Sequence, residues 1–240
     1  MIDTNDSEFL SRVEGADLKA KICDAKTAAA MIQPGDILGI SGFTPCGYPK
    51  ITMHELAERM KETPFQVDVW TGASTGSQID SELIAVNGVR VRMPYQTNGN
   101  LRKAINAGAL DYFDLHLSHV AQQIRAGFFT NAKGERVTGP DVAVVEVCKI
   151  GPNGELYTTT AIGNSPVFVD TAKKVIVEVN TTQPLALVGM ADIYMRKNPP
   201  HCEPIPITSA GDRVGTPYIP CDPAKIIAIV PCDLPDVTRA

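Results

Sequence analysis

The chain contains no C-x-x-C pair, no glycine-rich loop ending in Gly-Lys-Ser/Thr and no G-x-G-x-x-G fingerprint. No apolar run approaches the roughly 18 residues that a membrane span needs. The six cysteines are scattered, which in a chain of this length reads as reduced thiols rather than a disulfide framework. Without the P-loop lysine or the three-glycine turn, neither a P-loop nor a dinucleotide site is expected. There is no basic excess either: 22 Lys and Arg against 27 Asp and Glu give a net charge of -5. Nucleic acid is therefore not an expected partner, because phosphate binding wants a basic face. Membrane is not one either. The first 21 residues carry several acids and no apolar core, so neither a secretory signal nor a transit peptide is expected, and the expected setting is cytoplasmic.

What the chain has is an ordinary globular composition, 44% hydrophobic and 20% charged over 240 residues. That is enough for one large domain or two small ones. Short apolar runs alternate with helical patterns. "DAKTAAAMIQPGD" reads as a helix capped by Asp24 and stopped at Pro34-Gly35-Asp36, followed by a buried strand at Ile37–Ser41. "ITMHELAERMKE" is amphipathic. "QVDVW", "DVAVVEVCKI", "KVIVEVN" and "KIIAIVP" read as buried strands, and "VRVRMPY" as a less buried one. "SELIAVNGV", "NLRKAINAG", "DLHLSHVAQQIRAG" and "SPVFVDTAKK" read as helices, with "ALDYF" as a connection. "GPNGELYTTT" carries the turn signature of a hairpin. Residues from about 190 to 222 are dense in Pro and Gly and read as an extended segment. The expectation is an α/β fold: a mostly parallel sheet flanked by helices, with one antiparallel excursion.

Ligands of such folds sit beyond the carboxyl ends of the strands. Three loops fall there: "SGFTPCGYPK", "TGASTG" and the "EVN" of Glu178–Asn180. Each alone is explained by a tight turn with glycine at positive φ. Two small-residue loops after successive buried strands point to a shared ligand pocket. His116 and His119 stand three apart, as a metal pair would, but no third ligand of suitable spacing accompanies them, so no metal is expected.

The segments "GISGFTPCGYPK", "TGASTG", "MPYQTNGNLRKAINAG", "YFDLHLSHV", "AIGNSP" and "KVIVEVN" occur in that order. Together they resemble the N-terminal half of the acetyl-CoA hydrolase/transferase family, the class I coenzyme A transferases of the succinyl-CoA:acetate and propionyl-CoA:succinate type. The resemblance runs from about Lys21 onward. It implies a coenzyme A transferase-like (NagB/RpiA-like) half spanning 1–240, with the active site between two such halves. The implied chemistry uses a glutamate, whose carboxylate attacks the thioester to give an anhydride and then a glutamyl-CoA thioester. Acyl-CoA and a small carboxylate are the implied ligands, as substrates; no permanently bound cofactor is implied.

Family members are about twice as long, and their nucleophile follows a "QSGVGN"-like segment that these residues lack. A C-terminal catalytic half is thus an expected partner, with a homodimer left open. The resemblance places Ser74 beside the acyl or carboxylate group, with Gly72, Ala73 and Thr75 shaping that wall. Gly42 to Gly47 would form the neighbouring wall, and Gly163 and Asn164 a further contact. Ser74 is read as a positioning residue. Two strand glutamates, Glu146 and Glu178, have a plain structural reading as paired acids at the sheet end; Glu178 is also carried as a weak in-chain nucleophile. Arg102, Arg125 and Arg213 are candidates to pair with such acids or to contact coenzyme A phosphates, with surface pairs expected for most of them and Asp212-Arg213 fixing a loop. Two other readings stay open: a stand-alone carboxylate- or acyl-binding module, and a sugar-phosphate isomerase of similar fold, which would need a phosphate loop the chain lacks.

Overall fold

Strand Val142–Ile150 alternates its side chains between two separate cores, which makes it the spine of the fold. Val142 and Val144 enter one core; Ala143, Val145 and Val147 enter the other. The computed structural model describes residues 3–40, 42–197 and 200–237. Along the chain, α1 (Ser7–Ser11), α2 (Ala16–Lys19) and α3 (Ala25–Ala30) precede β1 (Ile37–Ile40), and α4 (Ile51–Glu62) leads to β2 (Val67–Trp70). A π-helical turn at Gln78–Glu82 runs into α5 (Leu83–Ala85) and β3 (Val89–Met93). Next come α6 (Gly99–Asn106), β4 (Asp111–Tyr112), α7 (Leu117–Arg125) and the small hairpin β5 (Phe129–Thr130) and β6 (Arg136–Val137). The spine β7 (Val142–Ile150) turns back as β8 (Glu155–Thr158). Then follow α8 (Ser165–Thr171), β9 (Lys174–Asn180), β10 (Ile219–Pro220) and β11 (Ile226–Cys232).

The sheet runs β4-β3-β2-β1-β7-β9-β11, all parallel, with β8 and β10 as antiparallel additions on the far half of β7. Strand order reverses between β1 and β7, so a crevice opens there at the carboxyl ends. Helices α3, α4 and α5 cover one face, and α1, α7 and α8 the other. No helix among the described residues is long and apolar enough to cross a membrane.

Local chemistry explains most boundaries. Asp24 caps α3 by accepting from Thr27 N at 2.6 Å, and Asp36 closes the following turn by accepting from Gln33 N at 2.7 Å. The strand expected at Ile37–Ser41 is β1, and Ser41 lies outside the described residues. The "VRVRMPY" strand departs from expectation. It is interior, between β2 and β4, and Arg92 is 1% exposed because Asp80 neutralises it. "ALDYF" holds β4 rather than a bare connection. Within 190–222, the described residues carry one isolated bridge, Ile193–Thr216, besides β10. Asp212 and Arg213 do not pair. Asp212 accepts from Thr208 and Ser209, while Arg213 donates to the carbonyls of Gly189 and Ala191.

Candidate functional site

The two small-residue loops meet over the crevice. The loop after β1 brings Phe43 and Thr44, and the loop after β2 brings Gly72, Ala73 and Ser74, into one cleft of about 530 Å³. Tyr95 and the stretch from Asp114 to Leu117, with His119, form the rest of its lining, which holds no lysine or arginine among the described residues. Ser74 is 2% exposed, and its Oγ lies 2.8 Å from Thr97 Oγ1 and accepts from Thr97 N at 3.1 Å. His116 and His119 pack edge to face, ring centroids 5.3 Å apart, on the exposed start of α7.

Glycine is required where the walls touch. The Tyr48 ring lies on Gly76: a Cβ there would fall 1.9 Å from Tyr48 Cζ. Burial pushes the Tyr48 phenol up to about 12, so it stays a neutral donor to Gln78 Oε1 at 2.9 Å. Gly47 has φ +61, and a Cβ there would meet Ala161 N at 2.7 Å, which seats the first loop against the loop after β8. Gly76→Ala is expected to cost about 1–3 kcal/mol by overpacking and to raise amide exchange in the loop around Tyr48. Thermal unfolding together with exchange of residues 44–49 checks this, and an unchanged midpoint would contradict it.

One buried arginine holds the second loop. Arg92 Nε and its terminal nitrogens reach Asp80 Oδ1 at 2.9 Å and Oδ2 at 3.2 Å, Thr71 Oγ1 at 2.8 Å, and the carbonyls of Met93 at 3.0 Å and Pro94 at 2.7 Å. Thr71 Oγ1 in turn donates to Ala73 O at 2.7 Å. Thr75 is not in the cleft lining; its N and Oγ1 face Asp80 Oδ2 at 3.4 Å. The loop is thus tied at both ends to one ion pair.

A second buried network underlies the first loop. Lys50 Nζ lies 2.5 Å from Glu146 Oε2 and 3.0 Å from Asp236 Oδ1, and 4.5 Å over the Tyr48 ring. Glu146 also accepts from Thr159 Oγ1 at 2.9 Å and from Asn180 Nδ2 at 2.8 Å. Burial pushes its carboxyl up to about 7, against the pull of Lys50. Asp236 accepts from Gly47 N at 3.1 Å, Thr160 Oγ1 at 2.7 Å and Gln183 Nε2 at 3.0 Å. It therefore joins the loops after β1, β8 and β9.

Glu178 caps a helix. Its Oε1 accepts from Thr52 N at 2.6 Å, and its Oε2 from Lys50 N at 2.7 Å and Ile51 N at 3.3 Å. Helix α4 has no acid in its own first turn, so β9 supplies the charge that its N-terminus favours. Glu146, Glu178 and Cys232 offer ligand atoms within 4.8 Å of one another. Both carboxylates are already engaged as described, and burial pushes the Cys232 thiol up, so the trio has the chemistry of packed structural groups.

The structure brings Gly72, Ala73 and Ser74 together with the loop that carries Gly42 and Gly47. Gly163 and Asn164 line a neighbouring cavity of about 620 Å³ on the far side of Gly72; a Cβ on Gly72 would sit 3.3 Å from Asn164 N. Arg125, on the same cavity, reaches Asp170 at 3.2 Å. Sequence reasoning missed Arg92, Asp80, Thr97, Lys50 and Asp236. The available signal was charged residues inside apolar runs, Arg92 in "VRVRM" and Lys50 at the start of an amphipathic helix.

A mostly parallel sheet with flanking helices is the fold this chain shares with solved coenzyme A transferases. Solved structures of that shape include glutaconate coenzyme A-transferase of Acidaminococcus fermentans, with TM-score 0.53, 18% identity and 66% of each chain covered. RipA from Yersinia pestis aligns with TM-score 0.60 and 16% identity over 94% of this chain and 45% of that one. At such identities the likeness concerns fold alone. The chain belongs to the acetyl-CoA hydrolase/transferase family: residues 9–231 match its N-terminal domain, beginning upstream of the Lys21 where the motif resemblance starts. It is 45% identical over 230 residues to succinyl-CoA:acetate CoA-transferase of Clostridium kluyveri, covering 95% of this chain and 41% of that protein. It is 42% identical over 217 residues to propanoyl-CoA:succinate CoA transferase of Escherichia coli, covering 88% and 42%. An acetyl-CoA hydrolase of Schizosaccharomyces pombe is 35% identical over 235 residues, covering 96% and 44%. The chain thus spans about two fifths of the length of these relatives.

Proposed function

We propose that this chain is the N-terminal half of a cytoplasmic acyl-CoA hydrolase or coenzyme A transferase. It would move coenzyme A between an acetyl-, propionyl- or succinyl-CoA and a carboxylate through a glutamyl-CoA thioester. The observation that carries the reading is the cleft over the switch point, with Ser74 at its wall between Gly72-Ala73 and Phe43-Thr44. Small residues admit a carboxylate or thioester close to the backbone, and the Ser74 hydroxyl supplies a hydrogen bond without a nucleophile's partner base. Gly42, Gly47 and Thr75 act behind the wall by holding its loops, and Gly163 and Asn164 extend it on the far side of Gly72.

The nucleophilic glutamate belongs, on this reading, to a C-terminal half outside these residues. Each carboxylate oxygen of Glu178 and of Glu146 is already hydrogen-bonded inside the fold. The same observation favours one alternative, a stand-alone carboxylate- or acyl-binding module without turnover. Intact-mass analysis after incubation with acetyl-CoA and borohydride tests both. No adduct is expected on this chain alone. An adduct on the C-terminal half of a relative, once the two are mixed, is expected under the half-enzyme reading and not under the module. An adduct at Glu178 overturns the placement of the nucleophile.

A further inference from the structure

We propose that Thr97 is a positioning residue that turns the Ser74 hydroxyl into a hydrogen-bond donor aimed at the ligand's oxygen. The inference rests on the reading that Ser74 faces a bound carboxylate or thioester.

A serine hydroxyl has one proton and two acceptor lone pairs. Thr97 N donates into one of them at 3.1 Å, and Thr97 Oγ1 stands 2.8 Å from the same oxygen. When the Thr97 hydroxyl donates into the second lone pair, both are filled and the Ser74 proton is released toward the cleft. When no ligand oxygen is present, the two rotors turn over and Ser74 donates to Thr97 Oγ1. Thr97 therefore serves as acceptor in one state and donor in the other, and Ser74 keeps a partner in both. Valine has the same shape and can do neither.

The frame that carries Thr97 is fixed on both sides. Upstream, Arg92 holds the carbonyl of Pro94 at 2.7 Å. Downstream, Asn98 caps α6 by accepting from Asn100 N at 2.8 Å and Leu101 N at 3.1 Å, and its Nδ2 donates to Ser81 Oγ at 2.8 Å. The same Arg92 ties Thr71 and, through Asp80, the start of the π-helical turn. One guanidinium thus sets the spacing between the two loops that meet at Ser74 and Thr97. No lysine or arginine lines the cleft among the described residues, so at this wall an acceptor oxygen meets the Ser74 hydroxyl rather than a fixed cation, and the orientation of that hydroxyl matters.

The test uses the 240-residue chain, with acetate and acetyl-CoA as probes, titrated by NMR at the amides of residues 72–76 and 95–98. Thr97→Val is expected to weaken binding about fivefold, the net worth of one neutral hydrogen bond. Thr97→Ser is expected to restore it to within about twofold, since it keeps the hydroxyl. Ser74→Ala combined with Thr97→Val is expected to bind no more weakly than Ser74→Ala alone, because both changes remove one unit. Thermal midpoints are expected to stay together across the variants. Unchanged affinity in Thr97→Val beside a loss in Ser74→Ala overturns the inference and leaves the pocket reading standing. Equal losses in Thr97→Val and Thr97→Ser overturn it as well, since that marks packing rather than the hydroxyl. No saturable binding of either probe by the unmodified chain overturns the pocket reading itself, and the inference with it.

Discussion

Replacing Arg92 with methionine is expected to lower the stability of the chain by about 3–5 kcal/mol, the usual loss when one partner of a buried ion pair is removed. Asp80 is 0% exposed, and Arg92 is the cation on it. Without the guanidinium, a carboxylate stays buried uncompensated, and the carbonyls of Met93 and Pro94 lose their donor. Urea unfolding gives the magnitude. Arg92→Met with Asp80→Leu is expected to recover much of the loss, because apolar replacement of a whole buried pair is often neutral. Hydrogen exchange in residues 71–76 and 94–98 is expected to rise together in the single variant, while β7 and β9 keep their protection. A loss below about 1 kcal/mol would put the pair in the class of exposed ion pairs and contradict its role as the buried tie between the two loops.

Lys50→Met is expected to cost a similar amount, with a dependence on pH that Glu146 supplies. Burial lifts the Glu146 carboxyl from its ordinary 4.5 to about 7. A folded value above the unfolded one means that protonation of Glu146 favours the fold. That contribution is complete below 4.5 and is lost as pH rises through about 7. Removing the Lys50 ammonium takes away the charge that stabilises ionised Glu146, so the penalty of the substitution stays level up to about 7 and grows as pH rises beyond it. Asp236 titrates elsewhere. Burial works against its charge, yet the Thr160 hydrogen bond and Lys50 hold it below its ordinary 3.8, so its own contribution is lost only on acidification below that range. Unfolding midpoints at about pH 5 and about pH 8 are expected to show the larger penalty at the higher pH. Equal penalties would mean that Glu146 is not the group left unpaired.

Both predictions concern charges that periodicity does not expose. Helix α4 and strands β2, β7, β9 and β11 were legible because their apolar spacing and flanking turn residues agree with one another. The cap of α3 was legible because Asp24 and Thr27 are three residues apart. The cap of α4 was not: its acceptor, Glu178, lies 126 residues from Thr52 in the chain. Local reasoning left Glu178 as a paired acid or a weak nucleophile, and only the parallel register of β9 against β7 puts its carboxylate on that helix end. In the same way, "VRVRM" reads as a less buried strand until Asp80 is seen to neutralise Arg92.

The sequence by itself determined the α/β class, the two small-residue loops and the family, because these depend on local periodicity, turn chemistry and ordered motifs. Tertiary structure alone decided which groups engage the two strand acids and which cation holds each loop. Those facts depend on contacts between residues far apart in the chain, whose geometry is set by the order of the strands and not by their spelling.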